Sequence, residues 1–382
     1  MKTIIFIESQ RQGTSFEIIK DAYNEGYKTV LFTTNSNFLL KRKNYTHINK
    51  VFYIEKINNI DIINNIIDNN LKNDTIGAVI SVIEEYMHLS VELHNLYCNK
   101  KIDGYFYKNI SNKLNVRNIL GISKYNLEYS SNKNDIIKFP FIIKATNSSG
   151  SKDVHFIKDE KDYENLIIDN NFIIEEYIDS KQYLVEIIVE NSKILKYFVL
   201  EQDITFYNNF IVDGYSFENF KDKQIEYLIV SLIKKFKIMN ASFHIEIRKK
   251  NGIYKIIEIN SRTSGGCITN IIEFGTGFKI TKWIINNYLG KEYEYKPKKQ
   301  LLYARYKVSN FNGIVTKITG KNQILNDPDV LELFVRKIKN KEVSLPTSMG
   351  KRYAYVIVTD NSIEKAKEKA VKCIEILKFH SR

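Results

Sequence analysis

The chain has 382 residues, of which 43% are hydrophobic and 26% charged, and it carries a net charge of +13. That length exceeds one ordinary domain and predicts two or three packed units with real cores. The charge invites anionic partners, but the basic clusters Lys41-Arg42-Lys43, Lys234-Lys235 and Lys298-Lys299 are short and scattered, which fits solvated faces and argues against nucleic acid. Cys98, Cys267 and Cys373 are odd in number and far apart, so neither a disulfide frame nor a zinc site is expected. The opening MKTIIFIESQ is too short for a signal peptide, and no apolar stretch reaches membrane-spanning length. A cytoplasmic protein without a membrane partner is expected.

Residues 2–7 (KTIIFI) predict a buried strand. Thr14-x-x-Glu17 has the spacing of a capping box, opening a helix through Tyr23 that stops near Gly26. Thr29–Thr34 is the next strand, and the strand–loop–helix–strand order predicts a small α/β unit with a parallel sheet. The loop Glu8–Thr14 lies at the carboxyl end of the first strand, where such sheets place ligands. Its single Gly13 is not a dinucleotide fingerprint. Gly77–Ile83 is a further strand that ends at Glu84 and Glu85.

The next unit opens with Asn112-Lys113 and a helical pattern through Leu120, closed by Gly121. Strands are expected at Phe139–Ala145, Phe172–Tyr177 and Tyr183–Val189, with a polar loop at 146–153. The polar, aromatic stretch Glu201–Phe217 reads as a lid, and Leu228–Phe236 as a helix. After a hairpin at 242–260, one helix is expected from about Ile268 to Leu289, then a charged linker at 290–300. The last unit has strands at Leu301–Val308 and Tyr353–Val358. It closes with an amphipathic helix from Ser362 to Phe379.

The hairpin carries the chemistry. In SFHIEIRKKNGIYKIIEINSRTSGG, period-two alternation puts Phe243, Ile245, Ile247, Ile253, Lys255, Ile257 and Ile259 on one face. His244, Glu246, Arg248, Tyr254, Ile256, Glu258 and Asn260 fall on the other. A three-residue loop, Lys250-Asn251-Gly252, pairs Lys249 with Ile253. His244 then faces Glu258, and Glu246 lies diagonally from it, roughly 7–8 Å away. A two-residue loop would put the carboxylates on opposite faces. Two carboxylates and an amide oxygen at this spacing suit Mg²⁺, which takes one or two carboxylates and completes its shell with water and phosphate. The alternative is a polar face that meets only water. Beyond Arg262 the chain enters Ser264-Gly265-Gly266, a turn whose backbone N–H groups suit anions.

The segment IIEINSRTSGG, with a Glu twelve residues before Glu258, resembles the metal-binding end of the ATP-grasp superfamily, and more closely its carboxylate–amine ligases that join amino acids. The resemblance implies an α/β (α+β) ATP-grasp fold. It would comprise a Rossmann-like pre-ATP-grasp domain over 1–110, an ATP-grasp domain over 111–300 with a flap subdomain at about 139–190, and a small α+β C-terminal domain over 301–382 that resembles that of biotin-carboxylase-like ligases. It implies ATP and two Mg²⁺ ions (or Mn²⁺) as cofactors, held by Glu246, Glu258 and Asn260, with Arg262 and the turn Ser264, Gly265 and Gly266 on the acyl-phosphate or carboxylate. Lys144, in a Pro-x-x-x-Lys strand from Pro140, matches the family's phosphate lysine; the alternative is a lysine snorkelling from a strand end. Asn112, Lys113 and Arg117 match an Asn-Lys-x-x-x-Arg start, with Lys113 a second nucleotide lysine. The flap residues Ser149, Gly150 and Ser151 would cover phosphates, although relatives are richer in glycine here.

FIIEEYI (172–178) is similar to the hinge that binds adenine, through Glu175, Glu176 and Ile178, with Gln182 and Glu186 offered to the ribose; an ordinary strand end is the alternative. Glu85 matches a cleft glutamate, or is a solvated strand end. Arg305 and Arg352 resemble cleft-edge arginines of the family; a surface charge is the alternative for either. His244 either touches substrate or is a hydrogen-bonded structural histidine. The resemblance implies small-molecule carboxylate and amine substrates and a homodimer. The activity implied is ATP-dependent amide formation through an acyl-phosphate. Two alternatives stand beside it: a carboxylase-type enzyme that activates bicarbonate, and a basic nucleic-acid or regulatory binding protein that retains the fold.

Overall fold

The structure is a computed structural model that describes residues 1–381 except 134, 136–137, 148–152, 165, 167–170 and 208–209. Residues 149–151, expected in the flap, lie outside the described residues.

Strands β1 (Lys2–Ile7), β2 (Lys28–Thr33), β3 (Lys50–Tyr53) and β4 (Thr75–Ile80) form a parallel sheet in the order β3-β2-β1-β4. Helices cover such sheets, so the central strand β1 is buried over five consecutive residues. The expected capping box does not form. Gly13 stands at the N-cap without a side-chain cap, and the Thr14 hydroxyl instead donates to the Ser264 carbonyl at 3.1 Å.

A small antiparallel sheet follows, from β5 (Tyr129–Ser130), β6 (Phe141–Ala145), β7 (Val154–Ile157) and β8 (Phe172–Glu176), in the order β5-β8-β6-β7. The chain then builds β9 (Gln182–Glu190), β10 (Lys193–Phe206), β11 (Phe210–Phe217), β12 (Ala241–Lys250), β13 (Ile253–Asn260), β14 (Leu302–Val308), β15 (Gly313–Thr319), β16 (Val330–Val335), β17 (Glu342–Val343), β18 (Arg352–Thr359) and β19 (Lys378–Ser381). Eight of these pair as β13-β12-β9-β10-β11-β14-β18-β16, while β15 pairs with β17 and β19.

Three expectations change here. The stretch 201–217, read as a lid, is instead the end of β10 and all of β11, in the middle of the large sheet. Its mixed polar and aromatic pattern arises because one face lines a cavity and the other packs against the C-terminal helix Ile363–Ile376. The last unit is not separate in its sheet, since β14 pairs with β11 from Gly214↔Arg305 to Phe217↔Leu302. β9, placed with the flap, belongs to the large sheet through β10 and β12.

The helix expected from Ile268 to Leu289 is two helices, Ile268–Thr276 and Ile280–Leu289, broken at Gly277 with φ 78°. A side chain there would strike the Lys296 carbonyl. The stretch 290–300 folds back along the break, with Lys298 N donating to Thr276 O at 2.9 Å and Tyr293 and Tyr295 packed on Phe278. Asp21, buried on the first helix, pairs with Lys279 at 2.8 Å and accepts from the Thr281 hydroxyl at 2.6 Å. The Asp21 contacts fix the first helix against Ile280–Leu289, and Gln10 of the loop 8–14 reaches that cavity. No helix among the described residues is long and apolar enough to cross a membrane.

Candidate active site

The hairpin turns on Asn251 and Gly252, with φ 50° and 79°. Two consecutive left-handed residues make a two-residue loop of the I′ kind, which Asn-Gly favours. Lys250 therefore pairs with Ile253 and Lys249 with Tyr254, not with Ile253 as expected. Continued regularly, that register would put Glu258 on the face opposite Glu246. A bulge between Glu246 and Ile247 adds one residue to β13 and restores the parity, giving Glu246↔Glu258 and His244↔Asn260. The carboxylates are direct neighbours rather than diagonal ones, and His244 faces Asn260 rather than Glu258. Below the bulge the faces exchange: Tyr254 and Ile256 enter the core with Ile247, while Ile257 turns to the cavity.

Arg117 holds the bulge. It donates to the carbonyls of Ile256 at 2.8 Å and Ile257 at 2.9 Å, and pairs with Glu175 at 2.7 Å. Lys144 pairs with the other Glu175 oxygen at 2.8 Å and reaches Ile257 O at 3.4 Å. Burial would raise the Glu175 carboxyl, but Arg117 and Lys144 pull it down to about 2. Glu175 therefore positions two cations. Glu176 accepts from Glu128 N at 3.1 Å and pairs with Lys250, while the Ile178 carbonyl accepts from Arg248 at 2.5 Å.

These elements enclose a cavity of about 400 Å³. The small sheet and the segment after it supply Ile142, Val154, Tyr177 and Ile178 to its wall, and Ile257 adds to this apolar part. Lys113, Lys144, Glu246, Glu258, Asn260, Arg262 and the turn 264–266 supply the polar part. Gln182 and Gln202 donate to Glu246 at 2.9 and 3.2 Å, and Arg248 fixes Gln182 at 2.9 Å. Burial raises the Glu246 carboxyl, and neighbouring Glu258 raises it further. Lys113 stands 3.7 Å from Glu258. Among the described residues no cluster of three or more His, Cys, Asp or Glu forms a metal site. The donor set is instead two apposed carboxylates and an amide, and their mutual repulsion is the condition a divalent cation relieves. These residues fit Mg²⁺, which leaves most of its shell to water and phosphate.

His244 is buried, and its Nδ1 bonds the Arg262 carbonyl at 2.8 Å. Burial and the Arg262 charge lower it to about 3, so it is neutral. The Ser264 N–H, expected to be open to anions, donates to Glu186 at 3.0 Å, as does its hydroxyl at 2.7 Å. No hydrogen bond among the described residues uses the N–H groups of Gly265 or Gly266. Glu186, offered above to a ribose, is fully buried behind this turn and does not line the cavity. Gln182 does line it.

Arg305 grips Asp213 with both nitrogens, at 2.9 and 2.8 Å, and is also off the cavity wall. Glu85 is exposed beside Tyr86. Its neighbour Glu84 faces inward, 4.0 Å from Arg262, because the turn Glu84–Tyr86 rotates it there. Sequence reasoning missed Gln202, Glu84 and the bracing role of Arg117. Only Arg117, in the Asn-Lys-x-x-x-Arg start, carried a signal.

Residues 110–266 match the model of an ATP-grasp domain. Residues 305–382 match that of the L-amino acid ligase C-terminal domain 2. No curated protein matches the chain by sequence. Among solved structures, the L-amino acid ligase from Bacillus licheniformis is 15% identical with a TM-score of 0.81, covering 100% of this chain and 99% of its own. Phosphoribosylglycinamide synthetase from Anaerococcus prevotii is 16% identical, with a TM-score of 0.77 and full coverage of both chains. N5-carboxyaminoimidazole ribonucleotide synthetase from Thermotoga maritima is 18% identical, with a TM-score of 0.72 and full coverage of both. These likenesses establish a shared fold. The chain therefore has the ATP-grasp fold, and residues 110–266, which supply most of the cavity's walls, match an ATP-grasp domain.

Proposed function

We propose that the protein is an ATP-dependent ligase that joins a small carboxylic acid, most suitably an amino acid, to an amine. The acid's carboxylate oxygen attacks the γ-phosphorus of ATP, the bond to the β-phosphate oxygen breaks, and ADP leaves. The amine nitrogen then attacks the acyl-phosphate carbon, phosphate departs, and the nitrogen loses a proton to give the amide. Such chemistry demands positioning and charge stabilisation more than covalent help.

Lys144 and Lys113 would meet the phosphates. The apolar wall of Ile142, Val154, Ile178 and Ile257 would take the base. Arg262 and the N–H groups of Gly265 and Gly266 would hold the carboxylate and the oxyanion that follows. Glu246, Glu258 and Asn260 would hold Mg²⁺, which neutralises phosphate charge when bound.

The observation that carries this reading is the Glu246–Glu258 pair, set side by side by the bulge and facing a cavity with Lys113, Lys144 and Arg262. The match at 305–382 supports amino acids as substrates. Three buried free cysteines suit a reducing, cytoplasmic setting. The test is ADP release from Mg²⁺-ATP across single and paired amino acids, with hydroxylamine present. ADP that depends on one acid, with its hydroxamate formed, is the expected result. Turnover with bicarbonate instead would replace this reading with the carboxylase one.

A further inference from the structure

One cation on the cavity wall has no task in the chemistry above. Arg352, the first residue of β18, lines the same cavity as Arg262 and the glycine turn. Its Nη1 donates to Val212 O at 2.9 Å and its Nε to Met349 O at 3.2 Å. The guanidinium lies 3.9 Å from the centre of the Tyr306 ring, and the Tyr306 hydroxyl in turn accepts from Cys267 N at 3.0 Å. The side chain is thus fixed by two carbonyls and a ring.

Burial works against its charge, and the groups that favour it are Tyr306, Tyr215 and Cys267, not a carboxylate. The acids on the cavity wall are engaged elsewhere: Glu175 by Arg117 and Lys144, Glu176 by Lys250, Glu246 by the two glutamines, and Glu258 beside Lys113. Arg336 adds to the positive field: burial, and then the neighbouring Arg352 charge, hold its guanidinium below the usual arginine range. A half-buried guanidinium fixed on a cavity wall without a carboxylate partner suits an anion, and a carboxylate matches its fork.

A Cβ built on Gly265 would lie 3.9 Å from Arg262 Nη1, and one built on Gly266 3.9 Å from Arg352 Nη2. Both guanidinium groups therefore border the glycine turn.

We propose that Arg352 seats a second free carboxylate of the substrates, other than the one that is activated. This assignment rests on the ligase reading. The carboxylate belongs either to the amine, as the α-carboxylate of an amino acid, or to the acid, as the distal group of a dicarboxylate.

Two arms of one experiment separate these sources in the full-length protein. The first compares each active amino acid amine with its α-carboxamide. The second compares the active acid with a derivative whose other carboxylate is amidated. Blocking the seated carboxylate should lower kcat/KM by about 10- to 100-fold in the wild type, as loss of a charged hydrogen-bond pair does. In Arg352→Gln the ratio should approach unity, and Arg352→Lys should retain part of it. Each ratio is internal to one protein, so a general loss of stability or rate leaves it unchanged.

Flat ratios in both wild-type arms overturn the assignment, and so does a ratio that survives in Arg352→Gln. A variant altered only in its KM for ATP would move Arg352 to the nucleotide and overturn it as well. Hydroxamate formation with flat ratios defeats this assignment alone. Absence of hydroxamate with every acid defeats the ligase reading and the assignment together.

Discussion

Replacing Glu186 with glutamine keeps the shape of a fully buried side chain and removes a charge that has no cationic partner in direct contact. Glu186 accepts from the Ser264 N–H at 3.0 Å and hydroxyl at 2.7 Å, and so holds the turn that runs into Gly265 and Gly266. Burial pushes its carboxyl up from 4.5 to about 7, and the Ser264 bonds only partly oppose this. A proton bound more tightly in the folded than in the unfolded chain adds stability below pH 4.5, and that stability is lost as pH rises through about 7. The span from 4.5 to about 7 corresponds to about 3 kcal/mol, at about 1.36 kcal/mol per pH unit. The assay is urea unfolding of wild type and Glu186→Gln at steps from about pH 4.5 to 8.5, a range that brackets this titration. Subtracting the two curves cancels groups common to both. Wild type should lose about 3 kcal/mol relative to the variant across that range. A difference that does not change with pH would refute the reasoning.

Glu258→Gln removes one of the two apposed carboxylates. ADP formation should fall by about 100-fold or more, and the Glu246 carboxyl, freed from its neighbour, should titrate lower; a pH–rate profile of the residual activity reads both. Gly266→Ala puts a Cβ onto the Tyr306 hydroxyl at a φ of 71°. It should cost about 1–3 kcal/mol in thermal unfolding, and adding Tyr306→Phe should recover part of that. Arg117→Met leaves Glu175 buried beside Lys144 alone and releases the carbonyls at the bulge. The expected loss is about 3–5 kcal/mol in urea unfolding. Glu175 is held down at about 2, so its stabilisation is present above pH 4.5 and is lost as pH falls towards 2. In Arg117→Met the folded carboxyl moves back towards 4.5, so that pH-dependent loss should shrink, as urea unfolding at stepped pH reads.

Elements whose cause lies within a few residues were legible in the sequence. The apolar run of β1, the Asn112-capped helix Lys113–Leu120 and the strand that carries Lys144 stand where local pattern puts them. The hairpin was legible only in part. Asn-Gly is the strongest short signal for a two-residue loop, yet that loop alone would have separated the carboxylates. The bulge that reunites them has no residue signature, because its support is Arg117, about 140 residues away. Distance also explains the missing capping box. The Thr14 hydroxyl finds Ser264, 250 residues on, a better partner than its own helix. Glu84 and Glu85 differ only by the rotation of one short turn, which spacing does not encode. The strands β10 and β11 looked like a lid because their two faces meet different environments, which blurs the period-two pattern.

The most direct test of the account follows the carboxylate oxygen. The acid found active in the hydroxamate assay is labelled with ¹⁸O in its carboxylate, and ligation is run to completion with Mg²⁺-ATP and the amine. One ¹⁸O atom per turnover should appear in the released phosphate, because the acid's own oxygen bridges to phosphorus before the amine attacks. Amide formed with unlabelled phosphate would show that no acyl-phosphate forms, and would contradict it.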